Sequence, residues 1–525
     1  MYPFSKIAPR RVSVRLAVVA GAAALTTALG GPALAAGPGV EPATVDKSNN
    51  PGGSFTVDKT VTTPEIPPKP DIVLLVDTTG SMGSTIANVQ ANLNTAIASV
   101  RSVQPSAQFA VASYRDVGEP GLFTVKQQLT ANTTDVQNAV NGLSAGGGGD
   151  TPEAWINALY EVSTGAITNR PGSSRIVVLV GDASSHDPSN GHTLADATNA
   201  LTASGARVVA VNVVSGSGDG LDAAHQATAV VNATSGQLSS SNPGAVTNAV
   251  VAGLRNLDVT VTPEVVSCDS GLSVSFNKTD VTVQSGNTAS YVETVNVAND
   301  ATQGSALHCK VRFLIDGAPA GDAFNEDITV HVNDVTPPVV KVDDKTVEAT
   351  SPAGAVIDYP ATAVDNVDGP LTPTCVAPSG STFALGDTVV TCSATDAAGN
   401  LGKDTAVMRV ADTTPPKPAC NAGPNPAGAV PSPDEDGFFK LTAEDIVDTS
   451  PEIFIQDSAS TAKFGPYKSG VTIKLTQAPG ATPEVKPGTG AVNWKIRVKG
   501  DAVIVAVDDF GNKANVTCLV PPPPK

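Results

Sequence analysis

The distribution of apolar residues changes character once, near Leu257, and that change limits the chain to an α/β domain joined to all-β domains. From about residue 70 to 256, short runs rich in Val and Ile (72–76, 109–114, 176–180 and 208–214) alternate with helical patterns. The runs mostly lack polar alternation, as strands buried on both faces do. Between the first two, Ile86, Val89, Leu93, Ile97 and Val100 fall on one helical face. This order predicts right-handed βαβ crossovers and a parallel sheet flanked by helices, a Rossmann-like arrangement. Beyond 258, apolar residues alternate with Thr, Ser, Lys and Asp, as in 259–262, 280–284 and 330–332, with Gly, Asn and Asp turns between them. That pattern predicts β-sheets with one face buried.

At roughly 150 residues per domain, a chain of 525 residues should contain three or four. Repeats divide the second half. Asp334-Val-Thr-Pro-Pro338 returns as Asp412-Thr-Thr-Pro-Pro416, 78 residues later, a separation suited to one small sandwich with Pro-stiffened joints. Thr362-Ala-Val-Asp-Asn-Val-Asp368 returns as Thr442-Ala-Glu-Asp-Ile-Val-Asp448, and Ala394-Thr-Asp-Ala-Ala-Gly-Asn400 as Ala506-Val-Asp-Asp-Phe-Gly-Asn512. The last domain therefore reads as an enlarged relative of its neighbour. The expected organisation is an export signal at 1–36, a linker with a leading strand (54–61) over 37–69, the α/β domain at 70–257, and three sandwiches at 258–333, 334–414 and 415–525.

Lys6, Arg10, Arg11 and Arg15 precede the apolar stretch 16–25, and Ala33-Leu34-Ala35 offers the small residues that a signal peptidase cuts after, near Ala35 or Ala36. Removing 1–36 takes away four basic residues and no acidic ones, so the net charge moves from −18 to −22. Such a charge repels a phosphate backbone and argues against nucleic-acid binding. No later segment is long and apolar enough to span a membrane, so the mature chain is expected to be secreted or held at the cell surface. All six cysteines, Cys268, Cys309, Cys375, Cys392, Cys420 and Cys518, lie in the second half. An even number in an exported chain points to disulfides, and the domain boundaries pair them in sequence order, one bridge per sandwich.

The chemistry-bearing residues sit at loops that follow strands. The first strand ends in Asp77-Thr78-Thr79-Gly80-Ser81, which places one carboxylate and two hydroxyls at the carboxyl end of a parallel strand, where open α/β sheets bind ligands. Gly149-Asp150-Thr151-Pro152-Glu153 and Gly181-Asp182-Ala183-Ser184-Ser185-His186 add oxygens from two further loops. Ser81 and Asp150 or Thr151 also suit helix N-caps, Pro152 a first helical position and Glu153 the helix dipole. Asp77 and Asp182 at adjacent strand ends resist that explanation, because two bare carboxylates there would repel without a cation.

At these residues the chain resembles the von Willebrand factor A domain family over about 70–256. Asp77, Thr79 and Ser81 match its Asp-x-Ser-x-Ser metal-ion-dependent adhesion motif, with Thr for the first Ser. The resemblance implies a divalent cation, Mg²⁺ first and Mn²⁺ or Ca²⁺ as alternatives, also contacted by Thr151 of the second loop and Asp182 of the third. Asp150-x-Pro152-Glu153 and Asp182-Ala-x-x-His186 resemble the integrin β-subunit variant, which implies that Asp150 and Glu153 serve an adjacent metal site and that Glu153 also reaches the central cation. The long specificity insertion of that variant is absent. In such proteins an open position on the cation accepts an Asp or Glu from a partner, and the loops and last helix, here 248–257, shift with affinity.

Residues 334–416 resemble the hyalin repeat (HYR), an immunoglobulin-like extracellular module. The matching residues include 346–355, 363–370, Cys375, Gly386, Thr391, Cys392 and 394–400. Asp365, Asp368 and Asp396 could bind Ca²⁺, although turn formation is the better explanation of them. No H-E-x-x-H, nucleophile elbow, P-loop or dinucleotide fingerprint occurs, so no enzymatic activity is expected. The sequence thus predicts an adhesion or binding protein that uses a cation to capture an acidic side chain of an extracellular or surface protein. Its rival is a structural surface or matrix component in which the cation only stabilises the fold.

Overall fold

The computed structural model describes residues 37–422, 437–490 and 492–519. The expected export signal at 1–36 lies outside them. Among the described residues, no helix is long and apolar enough to cross a membrane.

The segment expected as a linker is instead part of a sandwich. Strands β1 (Gly39–Glu41), β2 (Thr44–Asn49) and β3 (Ser54–Thr62) come before the α/β domain. They pair with strands that follow it, so the α/β domain is inserted into a discontinuous sandwich. Val40, Val45 and Val61 drive this, since each buries its side chain in the sandwich core. β2 carries a single buried apolar residue, and its ladder partner lies some 280 residues away. No local pattern announces it.

The α/β domain contains β4 (Pro70–Asp77), α1 (Gly83–Val103), β5 (Gln108–Tyr114), β6 (Phe123–Thr130), α2 (Thr133–Asn141), α3 (Trp155–Glu161) and β7 (Ser174–Gly181). α4 (Leu194–Ser204), β8 (Ala206–Val213), α5 (Gln226–Ala233), β9 (Gln237–Ser241) and α6 (Val246–Leu254) complete it. The sheet order is β6-β5-β4-β7-β8-β9, parallel except for the edge strand β6. Ile72, Leu74 and Val76 of β4 face α1, α2 and α6, while Val73 and Leu75 face α3, α4 and α5. Both faces are buried, which explains the unalternating runs. The expected stripe Ile86, Val89, Leu93, Ile97 and Val100 is buried along α1. At about 1.5–3 kcal/mol per fully buried side chain, it outweighs the weak helix propensity of the surrounding Thr, Asn and Val residues. β6 and β9 escape sequence detection because both are edge strands with several polar residues and no fully buried apolar one.

The inserted-into sandwich continues with β10 (Asp258–Cys268), β11 (Leu272–Phe276), β12 (Val281–Gln284), β13 (Thr288–Val297), β14 (Ala306–Ile315), β15 (Ala318–Pro319) and β16 (Asn325–Val332). Its sheets run β1-β3-β13-β11 and β12-β10-β14-β16-β2, with β15 beside β14. β2 lies parallel to β16, and β3 pairs with β13 over nine residues. Arg207 of β8 pairs with Asp316 at 2.7 Å, and Ser285 Oγ donates to Arg255 O, which ties the inserted domain to its host.

Two further all-β units follow, with strands from Val339–Val342 to Leu401–Ala411 and from Lys417–Ala422 to Lys513–Cys518. The bridges are Cys268–Cys309, Cys375–Cys392 and Cys420–Cys518, one per sandwich as expected. The first two join facing residues on neighbouring strands, whereas the third links two different sheets.

Candidate metal centre

The chain leaves β4 for β5 on one side and later returns to β7 on the other, so the sheet's switch point lies between β4 and β7. Ligands bind at such points, outside the carboxyl ends of the strands. β4 ends at Asp77, its parallel neighbour β5 at Tyr114, and β7 at Gly181, directly before Asp182.

Asp77, Thr79 and Asp182 are almost fully buried. Asp77 Oδ1 accepts from Thr79 N and Thr79 Oγ1, at 2.8 and 2.7 Å. Ser81 Oγ lies 3.4 Å from Thr79 Oγ1 and donates to Asp182 Oδ1 at 3.0 Å. Asp182 Oδ2 accepts from Ser215 Oγ. The second loop is strapped to the first by Gly80 N to Gly147 O and Gly146 N to Thr78 O. At Gly148, with φ +86°, a Cβ would stand 3.2 Å from Thr79 Cβ and 3.3 Å from Glu153 Oε1. The backbone of Glu153 bonds the third loop on both sides, donating to Ser184 O and accepting from His186 N.

Two buried carboxylate oxygens in this cluster, Asp77 Oδ2 and Glu153 Oε2, have no hydrogen-bond partner. Burial, aided by the charge of Asp182, pushes the Asp77 carboxyl up to about 7 against the lowering by Thr79 and by the neighbouring Tyr114 hydroxyl. Burial and the charges of Asp77 and Asp116 push Glu153 up to about 8. Unpaired buried carboxylates are costly, and a donor set of this kind could hold a divalent cation. Hard oxygen donors of this type fit Mg²⁺, Mn²⁺ or Ca²⁺.

The predicted residues separate into groups. Asp77, Thr79, Ser81 and Asp182 are joined by hydrogen bonds, and Glu153 is buried against them. Thr151 is exposed, with no hydrogen bond to the cluster among the described residues. Asp150, also exposed, groups with Asp116 and His186, whose ring Nε2 lies 3.0 Å from Asp116 Oδ1. The capping alternative does not hold. α1 begins after Met82 and α3 after Ala154, neither helix has a side-chain cap, and Pro152 precedes α3 as part of the loop. Sequence reasoning missed Asp116, just after β5, and Ser215, just after β8. The rule that found Asp77, polar residues at the carboxyl end of each parallel strand, would have found both.

Gly181 admits the buried Tyr114 hydroxyl beside Asp77. A Cβ there would stand 2.2 Å from Tyr114 Oη. Gly181→Ala is expected to lose about 1–3 kcal/mol by overpacking. Adding Tyr114→Phe should recover part of the loss in urea unfolding, whereas no recovery would place the strain elsewhere.

Fold and centre together define a multidomain protein in which an α/β domain with an oxygen-lined cleft is carried on immunoglobulin-like sandwiches. The family model of the von Willebrand factor type A domain matches residues 71–248, and that of the HYR domain matches 333–410. The chain carries a VWA domain followed by a HYR domain, which points to an adhesion or binding role towards extracellular proteins. The HYR domain and the three disulfides fit an extracellular protein. A protein of Acanthamoeba polyphaga mimivirus, named as ariadne-like RING finger, is 28% identical over 120 residues. That match spans 23% of this chain and 12% of the viral protein.

Proposed function

We propose that the chain is an exported, non-enzymatic binding protein whose VWA domain holds a divalent cation, with Mg²⁺ the ion of choice, and through it captures an Asp or Glu side chain of an extracellular or surface protein. The observation that carries this reading is the pair of orphaned oxygens, Asp77 Oδ2 and Glu153 Oε2, buried beside Ser81 and Asp182 at the switch point of the sheet. When bound, the cation offers a partly unsatisfied positive charge to an incoming carboxylate. The chain's own residues position that charge. Thr79 fixes the Asp77 carboxylate through its N–H and hydroxyl, Ser81 and Ser215 hold the two oxygens of Asp182, and the backbone of Glu153 links the second loop to the third. The sandwiches then serve as a spacer or second binding arm.

A pull-down from the exported fraction, with Mg²⁺ or with EDTA, tests this against the structural alternative. The wild type should retain its partner only with Mg²⁺, and Asp77→Ala should lose the partner while nearly keeping the melting temperature of the chelator-stripped wild type. Equal retention with and without chelator would sink the capture mechanism. Joint loss of binding and fold in Asp77→Ala would favour a structural cation.

A further inference from the structure

We propose that both joints between successive sandwiches are Ca²⁺ sites, each built from one linker aspartate and two aspartates of the sandwich that follows. The first joint groups Asp334, Asp365 and Asp396, and the second groups Asp412, Asp445 and Asp508. In each, one oxygen per residue lies within 4.8 Å of the others. Ca²⁺ holds its oxygens at about 2.3–2.6 Å, so a single ion accommodates such spacings. Neither joint requires a cation at Asp77.

The two clusters correspond bond for bond. Asp365 Oδ1 accepts from Val367 N and Asp368 N, and Asp445 Oδ1 from Val447 N and Asp448 N. Asp396 accepts from Asn400 N and Nδ2, and Asp508 from Asn512 N and Nδ2. Asn400 and Asn512 also donate to the backbone oxygens of Asp334 and Asp412. Turn formation therefore occupies the Oδ1 atoms of Asp365 and Asp445 and leaves their Oδ2 atoms to be explained.

Those second oxygens point to a ligand. Asp365 is 5% exposed and Asp412 7%, yet Oδ2 of each is buried without a partner, as is Oδ2 of Asp445. The ion pairs nearest in sequence, Lys341–Asp343 and Arg409–Asp387, use other carboxylates. Three crowded carboxylates without a counter-charge repel one another, and a dication reverses that repulsion.

The joints explain why the residues stand where they do. Each linker is already tied to the preceding sandwich. Gln303 accepts from Val335 N and Thr336 Oγ1, and Glu348 accepts from Thr413 and Thr414. A Ca²⁺ on Asp334 or Asp412 fastens the same linker to the following sandwich and stiffens the array.

Calorimetric titration of Ca²⁺ into the chelator-stripped full chain, in an Asp77→Ala, Asp116→Asn background that removes the VWA centre and the neighbouring Asp116–Asp150–His186 group, tests the proposal. Two Ca²⁺ per chain are expected, with affinities near the ~10⁻⁴–10⁻³ M of extracellular modules. Asp365→Asn should remove one and Asp445→Asn the other. Asn retains the Oδ1 acceptor that the turn requires, and an unchanged circular dichroism spectrum verifies the fold. Asp396→Asn and Asp508→Asn serve as the second pair should either fail to fold. Absence of Ca²⁺ binding, or a stoichiometry unchanged in folded variants, would overturn the proposal.

Discussion

Replacing Lys59 with Met is expected to destabilise the sandwich that hosts the VWA domain by about 3–5 kcal/mol, the cost of leaving buried charges uncompensated. Lys59 of β3 is completely buried between the sheets, beside Glu293 of β13 at 3.5 Å and in contact with Glu326 of β16. Its ammonium also donates to Pro42 O at 2.8 Å, so one side chain holds strands from both sides of the inserted domain. Burial and the neighbouring Glu326 charge push the Glu293 carboxyl up from its ordinary 4.5, with Lys59 opposing them. Removing Lys59 takes away the opposing influence. A carboxyl whose folded pKa is raised binds more protons folded than unfolded, so its penalty is absent below about 4.5 and grows as pH rises through the raised value. The loss in Lys59→Met should therefore be greatest at neutral pH and shrink towards pH 4.5. Amide exchange of β3 and β16 in urea measures it. Adding Glu293→Leu and Glu326→Met should restore most of the stability, because apolar residues of similar volume often replace a buried triad without loss. A single variant as stable as the wild type at pH 7 would show that the ammonium is not the partner of these carboxylates.

The same buried triad shows where sequence reading stops. The four central strands of the VWA domain and the buried stripe of α1 are legible because period and burial coincide there. The pairing of the cysteines is legible because two repeats mark the joints. The membership of residues 37–62 in a sandwich is not, because β2 owes its place to a ladder with residues beyond 326 and Lys59 reads as an ordinary surface charge. At the metal centre, Asp77 and Asp182 stand out because they end neighbouring strands. Whether Thr151 or Glu153 turns inward depends on the path of the second loop, which glycines at 147 and 148 carry through left-handed backbone. Spacing alone does not encode that path. The Asp365 and Asp445 turns are the subtler case, since the sequence explains one oxygen of each carboxylate and only the fold reveals the other.

Asp77 Oδ2 is buried, orphaned and close to the charge of Asp182, so without a cation the carboxylate is a liability that Asp77→Asn relieves while keeping the Oδ1 acceptor for Thr79. In chelator-stripped protein the variant's VWA domain should therefore melt at or above the wild-type temperature. With Mg²⁺ at one hundred times its dissociation constant the wild type should gain about 2.7 kcal/mol, and the variant nothing. Thermal unfolding of both proteins across a Mg²⁺ titration, followed through amide exchange of β4 and β7, measures this directly. A crossing of the two stabilities as Mg²⁺ is added is the predicted result. A wild type unmoved by Mg²⁺, or a variant that gains as much, would contradict the assignment of a cation to this centre.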